Sequence, residues 1–190
     1  MDEETGLITC PWPVEPIPGN EYLSRHVLAS GLIKESGRRF PSESDFILRE
    51  TEDGLSHYWN RHISLEDIYI TIALTHNAKG AYKEYTSFKI FQIENNYIKS
   101  LNDSLKVEHN PAFFGNPAPV GSPNNRSHSL VIFPKVEEEE LLQIRINLAT
   151  FCQKNYETSY REFDVKSIKE KVVHLREKTN DTPYHRLEHH

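Results

Sequence analysis

The clearest hydrophobic pattern lies in the C-terminal half of the chain, where apolar residues recur at helical spacing. After Glu137 they form one stripe of a predicted helix: Leu141, Ile144, Leu148, Phe151 and Cys152. Glu137 to Glu140 occupy its first turn, where the positive end of the helix dipole stabilises carboxylates. A final amphipathic helix is predicted from Asp164 as N-cap, with one apolar face: Val165, Ile168, Val172 and Leu175.

Shorter apolar runs between turn residues predict strands. The most apolar one, over residues 129–134, is continuous rather than alternating, which is typical of a buried central strand. Further strands are predicted at residues 46–51, 88–93 and 105–109. Asp53-Gly54 is a strong turn signal, after which residues 55–59 either pair back or continue as an extended segment.

Two more segments are predicted as helices. Residues 21–34 place apolar side chains at spacings that suit a short helix, although Gly31 weakens it. Ser64 and Asp67 match the S-x-x-[DE] pattern of a capping box, which would open a helix over residues 68–76. That run is also rich in β-branched residues, so a strand is the alternative. The cap and the length favour the helix.

The predicted elements do not alternate as β-α-β units, which indicates an α+β fold rather than a doubly wound sheet. We expect a single domain with a small mixed or antiparallel sheet and about four helices. Prolines predict an extended arm over residues 1–20, followed by a core domain over 21–158 and a C-terminal amphipathic helix over 159–182. Residues 110–127 are predicted to be irregular, and residues 187–190 match the start of a purification tag.

Composition and charge narrow the function classes. The chain has 190 residues and a formal net charge of −6, whereas proteins that grip a phosphate backbone usually present a basic face, so we expect no nucleic-acid partner. The acidic N-terminus does not resemble a secretory signal, no apolar run is long enough to span a bilayer, and two cysteines provide no disulfide framework. These features predict a cytoplasmic protein without a membrane partner, in which Cys152 packs in the core.

His128 is the main candidate for catalysis. It precedes the most apolar predicted strand, and a histidine there could act as a general base because its pKa lies near neutrality. Arg126 could hold an anionic group through its guanidinium fork, and Asn125 could orient a carbonyl or amide, as could Asn124. The alternative is that these residues only shape a tight turn.

A second candidate loop runs from Arg38 to Asp45. Arg39 and Ser42 could bind a phosphate or carboxylate there, with His57 as an assisting catalytic residue. The alternative is that Arg39 pairs with the acidic residues of the same turn while the serines cap it.

No metal and no cofactor are predicted. His57, His62, His109 and His128 could converge in space, but no H-x-x-x-H or C-x-x-C unit sets ligands at a metal-binding spacing. The glycine motifs of phosphate loops, dinucleotide sites and nucleophile elbows are also missing from the sequence.

Three short motifs carry a resemblance. They are Arg39-Phe40-Pro41-Ser42-Glu43-Ser44-Asp45-Phe46, then Gly54-Leu55-Ser56, and a late turn from Asn116-Pro117 through Pro123 to His128. This set is similar to a diffuse group of uncharacterised bacterial proteins with an Arg-x-Pro-Ser-x-x-x-Phe segment, a Leu-Ser segment and a Pro/His turn. The resemblance implies that the two polar loops belong together. It transfers no function, because no activity is known for that group.

Two functional hypotheses follow. The first is a binding or interaction module with a protein partner or a second copy of the chain, favoured because catalytic motifs are missing. The alternative is an enzyme that acts on a nucleotide-like or other anionic small molecule through His128 and Arg126. The enzyme hypothesis expects Arg39, His57 and His128 to line one shared cavity.

Overall fold

The computed structural model describes residues 9–48, 53–116, 118–133 and 135–181. Its strands are β1 (Tyr22–Leu28), β2 (Ile33–Glu35), β3 (Arg38–Phe40), β4 (Leu55–Trp59), β5 (Phe88–Glu94), β6 (Lys106–His109), β7 (His128–Ile132) and β8 (Tyr160–Arg161). Six of them form one antiparallel sheet in the order β6-β7-β4-β1-β5-β8, and β2 pairs with β3 as a separate hairpin.

The described ranges contain five α-helices beside the sheet: α1 (Leu65–Leu74), α2 (Asn95–Ser100), α3 (Glu138–Lys154), α4 (Tyr156–Ser159) and α5 (Lys169–Asp181). The predicted α+β class with an antiparallel sheet in a single domain is confirmed. Among the described helices, none combines the length and the apolar composition that crossing a membrane requires.

The strand register assigns every sheet residue to one of two faces. Leu23 lies opposite Trp59, and Ser24 lies opposite Tyr58. Because directly paired residues point to the same side and neighbours along a strand to opposite sides, Leu23 and Trp59 share one face. Tyr58 shares the other face with His128, its partner on β7.

Each face of the sheet carries its own apolar core. On the first face, Leu23, Trp59 and Val131 pack with Leu148 of α3 in one buried cluster. On the second face, α1 and α5 pack with Tyr58 and Ile90 in another. The C-terminal helix therefore belongs to the same body as the sheet.

The N-terminal arm crosses the first face without regular structure. Residues 9–20 contain no helix or strand, as their prolines predict. Trp12 packs edge-on against Phe113 at a centroid distance of 5.6 Å, and Ile17 is buried in the core cluster of the first face. The arm is thus fixed to the sheet by apolar contacts.

Several local predictions are confirmed. Ser64 caps α1, because its Oγ accepts the amide N–H of Asp67 at 3.1 Å. The strands at β5 and β6 and the long helix α3 lie where the hydrophobic patterns place them. β7 lies inside the sheet between β6 and β4, but burial alternates along it, so only one of its faces is fully covered.

The predicted helix over residues 21–34 is wrong. This segment forms β1 in the middle of the sheet, followed by the first strand of the β2–β3 hairpin. Pairing with β4 on one side and β5 on the other outweighs the weak helical spacing. Ser36 and Gly37 have positive φ angles of 50° and 79°, which make the tight hairpin turn.

Two further boundaries differ from the prediction. The strand expected from residue 46 is absent over residues 46–48, since Glu43–Phe46 forms a 3-10 turn; Arg49 to Thr51 lie outside the described residues. The last helix begins at Lys169 rather than after Asp164, because Asp164 Oδ1 accepts the N–H of Lys166 at 3.1 Å and holds a turn. Residues 160–161, predicted within the C-terminal helical segment, pair with β5 instead. Residues 187–190 lie outside the described part.

Candidate functional site

A cleft opens where two central strands of the sheet separate. β1 pairs with β4 only at Leu23 and Ser24, whereas its pairing with β5 continues to Leu28. The gap beyond Ser24 contains a cavity of about 470 Å³. Its polar lining comes from β1, the 3-10 turn, β4 and the loop before β5: Arg25, His26, Ser44, Asp45, Ser56 and Lys83.

Arg25 connects the two walls of the cleft through hydrogen bonds to their backbones. Its Nε and Nη2 atoms donate to the carbonyl oxygen of Asp45 at 3.0 and 2.8 Å. Its Nη1 atom donates to the carbonyl oxygen of Ser56 at 3.0 Å. The guanidinium also lies over the ring of Phe46, 5.8 Å from its centroid. These hydrogen bonds join the 3-10 turn to β4.

The charge of the cleft favours an anion. Arg25 and Lys83 contribute positive charge, and Asp45 is the acidic residue among the lining side chains. Burial raises the pKa of the Asp45 carboxyl, and the hydrogen bonds from Ser42 oppose that shift. A small molecule with a carboxylate or phosphate group would therefore be attracted here.

Ser56 and His128 form a hydrogen-bonded pair beside this cleft. His128 Nδ1 lies 2.6 Å from the carbonyl oxygen of Asn110, and its Nε2 lies 3.3 Å from Ser56 Oγ. A carbonyl oxygen only accepts, so Nδ1 carries the proton and Nε2 accepts from the serine hydroxyl. Burial lowers the pKa of His128, which keeps the ring neutral near pH 7.

His57, the other predicted catalytic histidine, does not join His128. It pairs with Ser129 on β7, whereas His128 pairs with Tyr58, so the two rings point to opposite faces of the sheet. His57 is 2% exposed, and its Nδ1 lies 2.8 Å from the carbonyl oxygen of Leu55. Desolvation, followed by the charge of Arg25, lowers its pKa to about 3. The ring is a neutral part of the core.

The first polar loop divides between two locations. Ser44 and Asp45 line the cleft, but Ser42 donates its hydroxyl to the Asp45 carboxylate within the turn. Arg39 lies on β3 and lines a different cavity, shared with Lys89 and Glu157. The expected common cavity for Arg39, His57 and His128 is therefore wrong.

The second polar loop is mostly occupied with its own backbone and with the arm. Asn125 Oδ1 accepts from the amide and the hydroxyl of Ser127, at 3.1 and 2.6 Å, which shapes the turn before β7. Arg126 Nη2 donates to Glu15 of the arm at 3.2 Å. Neither Asn125 nor Arg126 is among the residues that line the Arg25 cleft.

Two residues of the site were missed by the motif analysis. Arg25 and Lys83 have no distinguishing spacing, and Arg25 lies in the segment whose pattern predicts a helix but which forms β1. In the sequence, Ser56 stands out only as part of the Leu-Ser segment. A correct strand assignment for β1 would have placed Arg25 beside the Ser56 strand.

A second polar cluster lies on the α3 side of the sheet. Glu15, His62 and His109 place their ligand atoms within 4.8 Å of one another, a combination that could hold a metal ion. The structure thus brings together two of the four histidines considered for a metal centre, and it recruits a carboxylate from the arm instead of His57 and His128.

Comparisons with protein-family models, with curated proteins and with solved structures gave no match. The resemblance to the bacterial group with the Leu-Ser segment therefore stays an expectation. Function has to be inferred from the side chains that the fold brings together.

Proposed function

We propose that the protein is an ester hydrolase that acts on a small anionic molecule bound in the Arg25 cleft. The observation that carries this proposal is the pairing of Ser56 Oγ with a neutral His128 whose other ring nitrogen is bound to a carbonyl oxygen. A hydroxyl next to an oriented, unprotonated imidazole is the arrangement that activates a serine nucleophile.

The chemistry assigns a separate role to each residue. His128 Nε2 takes the hydroxyl proton of Ser56 while Oγ forms a bond to the acyl or phosphoryl centre of the substrate. The imidazolium then returns that proton to the leaving alcohol. Water hydrolyses the serine ester in the second half, with His128 again as the base.

The carbonyl oxygen of Asn110 and the cationic cleft support these steps. Asn110 fixes the ring of His128 in the tautomer that leaves Nε2 free to accept a proton. Arg25 donates to the backbone of Ser56, so its charge lies close to the nucleophile. Lys83 adds a second cation that would orient an anionic substrate.

Covalent labelling of Ser56 tests the proposal. A fluorophosphonate probe should modify the folded protein once, and mass spectrometry of the digest should place the adduct on Ser56. Labelling should be lost in Ser56→Ala and should slow by at least about 100-fold in His128→Gln, the size of typical general-base effects. The control Ser104→Ala, which removes an exposed hydroxyl elsewhere, should label like the wild type.

Labelling of other serines, or an unchanged rate in His128→Gln, would contradict the proposal. Ester turnover should also depend on Lys83: replacing it with Gln should raise KM for anionic esters and leave neutral esters unaffected. Equal effects on both kinds of ester would exclude the cleft as the site of the anion.

The interaction-module hypothesis and the cytoplasmic location stay predictions. Leu142 and Ile146 lie one turn apart on α3 and are both exposed, which would suit a protein partner or a second copy. Two side chains are a small patch for a stable interface, so the cleft is the better-supported site.

A further inference from the structure

The Glu15, His62 and His109 cluster is built from three distant segments. Glu15 comes from the arm, His62 ends the 3-10 turn (Asn60–His62) after β4, and His109 ends β6. The two imidazole rings stack with their centroids 5.3 Å apart, and Trp59 packs edge-on against both, at 4.6 and 5.1 Å. Because the rings are fixed by this packing, their nitrogen atoms are pre-oriented.

His62 presents an unused nitrogen to the cluster. Its side chain is only 9% exposed, and Nε2 lies 3.3 Å from Glu15 Oε1. Within the described part of the chain, this buried Nε2 forms no hydrogen bond. A buried nitrogen that faces a carboxylate without a hydrogen bond is costly in a folded protein and calls for an explanation, and a ligand between the two groups is one.

His109 has the hydrogen bonding of a metal-binding histidine. Its Nε2 lies 2.6 Å from the carbonyl oxygen of Arg126, so this nitrogen carries the proton. Its Nδ1 is then the lone-pair atom, and it accepts the amide N–H of Glu15 at 3.2 Å. Histidine ligands commonly donate their other ring N–H to a carbonyl, which fixes the tautomer. Nδ1 needs only to exchange one backbone N–H for an ion.

We propose that Glu15, His62 and His109 bind a zinc ion. Two imidazoles and one carboxylate suit Zn²⁺ and leave a fourth position open for water. Tetrahedral zinc ligands lie about 3.3 Å apart. The Glu15 and His62 atoms already have that separation, so mainly His109 would have to approach. This site is independent of the ester hydrolase proposal, because neither Ser56 nor His128 is part of it.

The Arg126 guanidinium would compete with a metal ion for the Glu15 carboxylate. Its Nη2 lies 3.2 Å from Glu15 Oε1, the oxygen that also faces His62. In the metal-free protein the guanidinium neutralises the carboxylate that the ion would use. Zinc binding must displace or redirect this contact, so loss of the guanidinium should strengthen binding.

Zinc titration of the full chain tests the site. After dialysis against a chelator, the wild type should take up one Zn²⁺ per chain, measured by competition with a chromophoric chelator. His62→Gln and Glu15→Gln should each weaken zinc binding by at least about 10-fold. Loss of a residue that only supports a metal ligand typically costs about 10- to 100-fold in affinity, and loss of a ligand itself should cost no less. The control His174→Gln removes an exposed histidine on α5 and should bind like the wild type. The terminal histidines are present in every variant, so differences between variants exclude them.

Arg126→Gln should change the zinc affinity in the opposite direction from the ligand variants. It should bind zinc more tightly than the wild type, because it removes the cation that competes for Glu15. Weaker binding in this variant would overturn the role of Glu15 as a ligand. No zinc uptake by the wild type, or equal affinity in wild type and His62→Gln, would overturn the site as a whole.

Tryptophan fluorescence provides a second measurement that does not depend on ligand variants folding. Trp59 contacts both histidines, so Cu²⁺ bound in place of zinc should quench its emission strongly. Trp12→Phe isolates the Trp59 signal, because the chain has only two tryptophans. Quenching should be reversed by excess Zn²⁺. Unchanged Trp59 emission with copper would contradict the site.

Discussion

His57 is the residue whose burial gives the most direct test of the fold. It is 2% exposed, and its pKa falls from 6.5 to about 3 because the core strongly disfavours the charged ring. In the unfolded chain the ring takes up a proton below pH 6.5, whereas the folded ring stays neutral down to about pH 3. The unfolded state therefore binds more protons in this window, and stability must fall as pH falls.

The magnitude follows from the two pKa values. Far below the unfolded pKa, each pH unit costs about 1.4 kcal/mol of unfolding free energy. Integration between pH 7 and pH 5 gives a loss of about 2 kcal/mol from His57 alone. His57→Asn keeps a side-chain N–H near the carbonyl oxygen of Leu55 but removes the titration, so it should lose about 2 kcal/mol less over the same interval.

Urea denaturation of both proteins at pH 7, 6 and 5 measures this difference. Replacing a buried histidine with asparagine lowers stability at every pH. The informative quantity is therefore how the difference in unfolding free energy between wild type and His57→Asn changes with pH. His62 and His128 also have lowered pKa values, but they are present in both proteins and cancel. His174→Gln, an exposed control, should follow the wild type. Parallel losses in wild type and His57→Asn would show that the ring is not buried as described.

Two further predictions concern packing and thiol reactivity. Gly121 has a φ of +81°, and a Cβ there would lie 2.2 Å from the ring of His76, whereas Gly37 has a φ of +79° with open space around it. Both alanine variants lose the positive-φ freedom of glycine, about 1 kcal/mol, but Gly121→Ala should lose measurably more in urea denaturation; equal losses would mean that His76 moves aside without cost. Cys10 is half-buried, whereas Cys152 is buried and its pKa is raised by burial to about 12. A thiol reagent should therefore modify only Cys10 in the native protein and both cysteines in denaturant. Rapid native modification of Cys152 would contradict its core position.

The helices could be predicted where local sequence and tertiary packing agree. α3 combines an acidic first turn with a long apolar stripe, and Ser64 caps α1 through a single local contact. β1 was missed because its strand character comes from two partners, β4 and β5, that are distant in sequence. Nonlocal pairing leaves little local signal in a short segment with mixed polarity.

The site was predictable only in part, for a related reason. His128 was selected by its position before an apolar strand, and its ring does contact a serine. The sequence predicts its partners in the adjacent turn, because Asn125 and Arg126 are neighbours of His128 in the chain. In the structure Asn125 and Arg126 contact Ser127 and Glu15 instead, whereas Ser56 lies on β4, the strand that pairs with β7. A strand register is needed to place a residue on a face, and a one-residue shift reverses the result.

The end of β6 and the start of β7 position residues of both proposed sites, the Ser56–His128 pair and the cluster with His109. The two sites lie on opposite faces of this strand pair. His109 directs its ring to the cluster with Glu15 and His62 and donates to the carbonyl oxygen of Arg126. The next residue, Asn110, accepts from the ring of His128 and donates its amide N–H to the carbonyl oxygen of His128 at 2.9 Å. Alternation along the strands sends consecutive residues to opposite sides, so one hydrogen-bonded segment orients both the proposed metal ligand His109 and the proposed catalytic base His128. Precise placement of either ring therefore depends on the end of β6 staying paired with the start of β7.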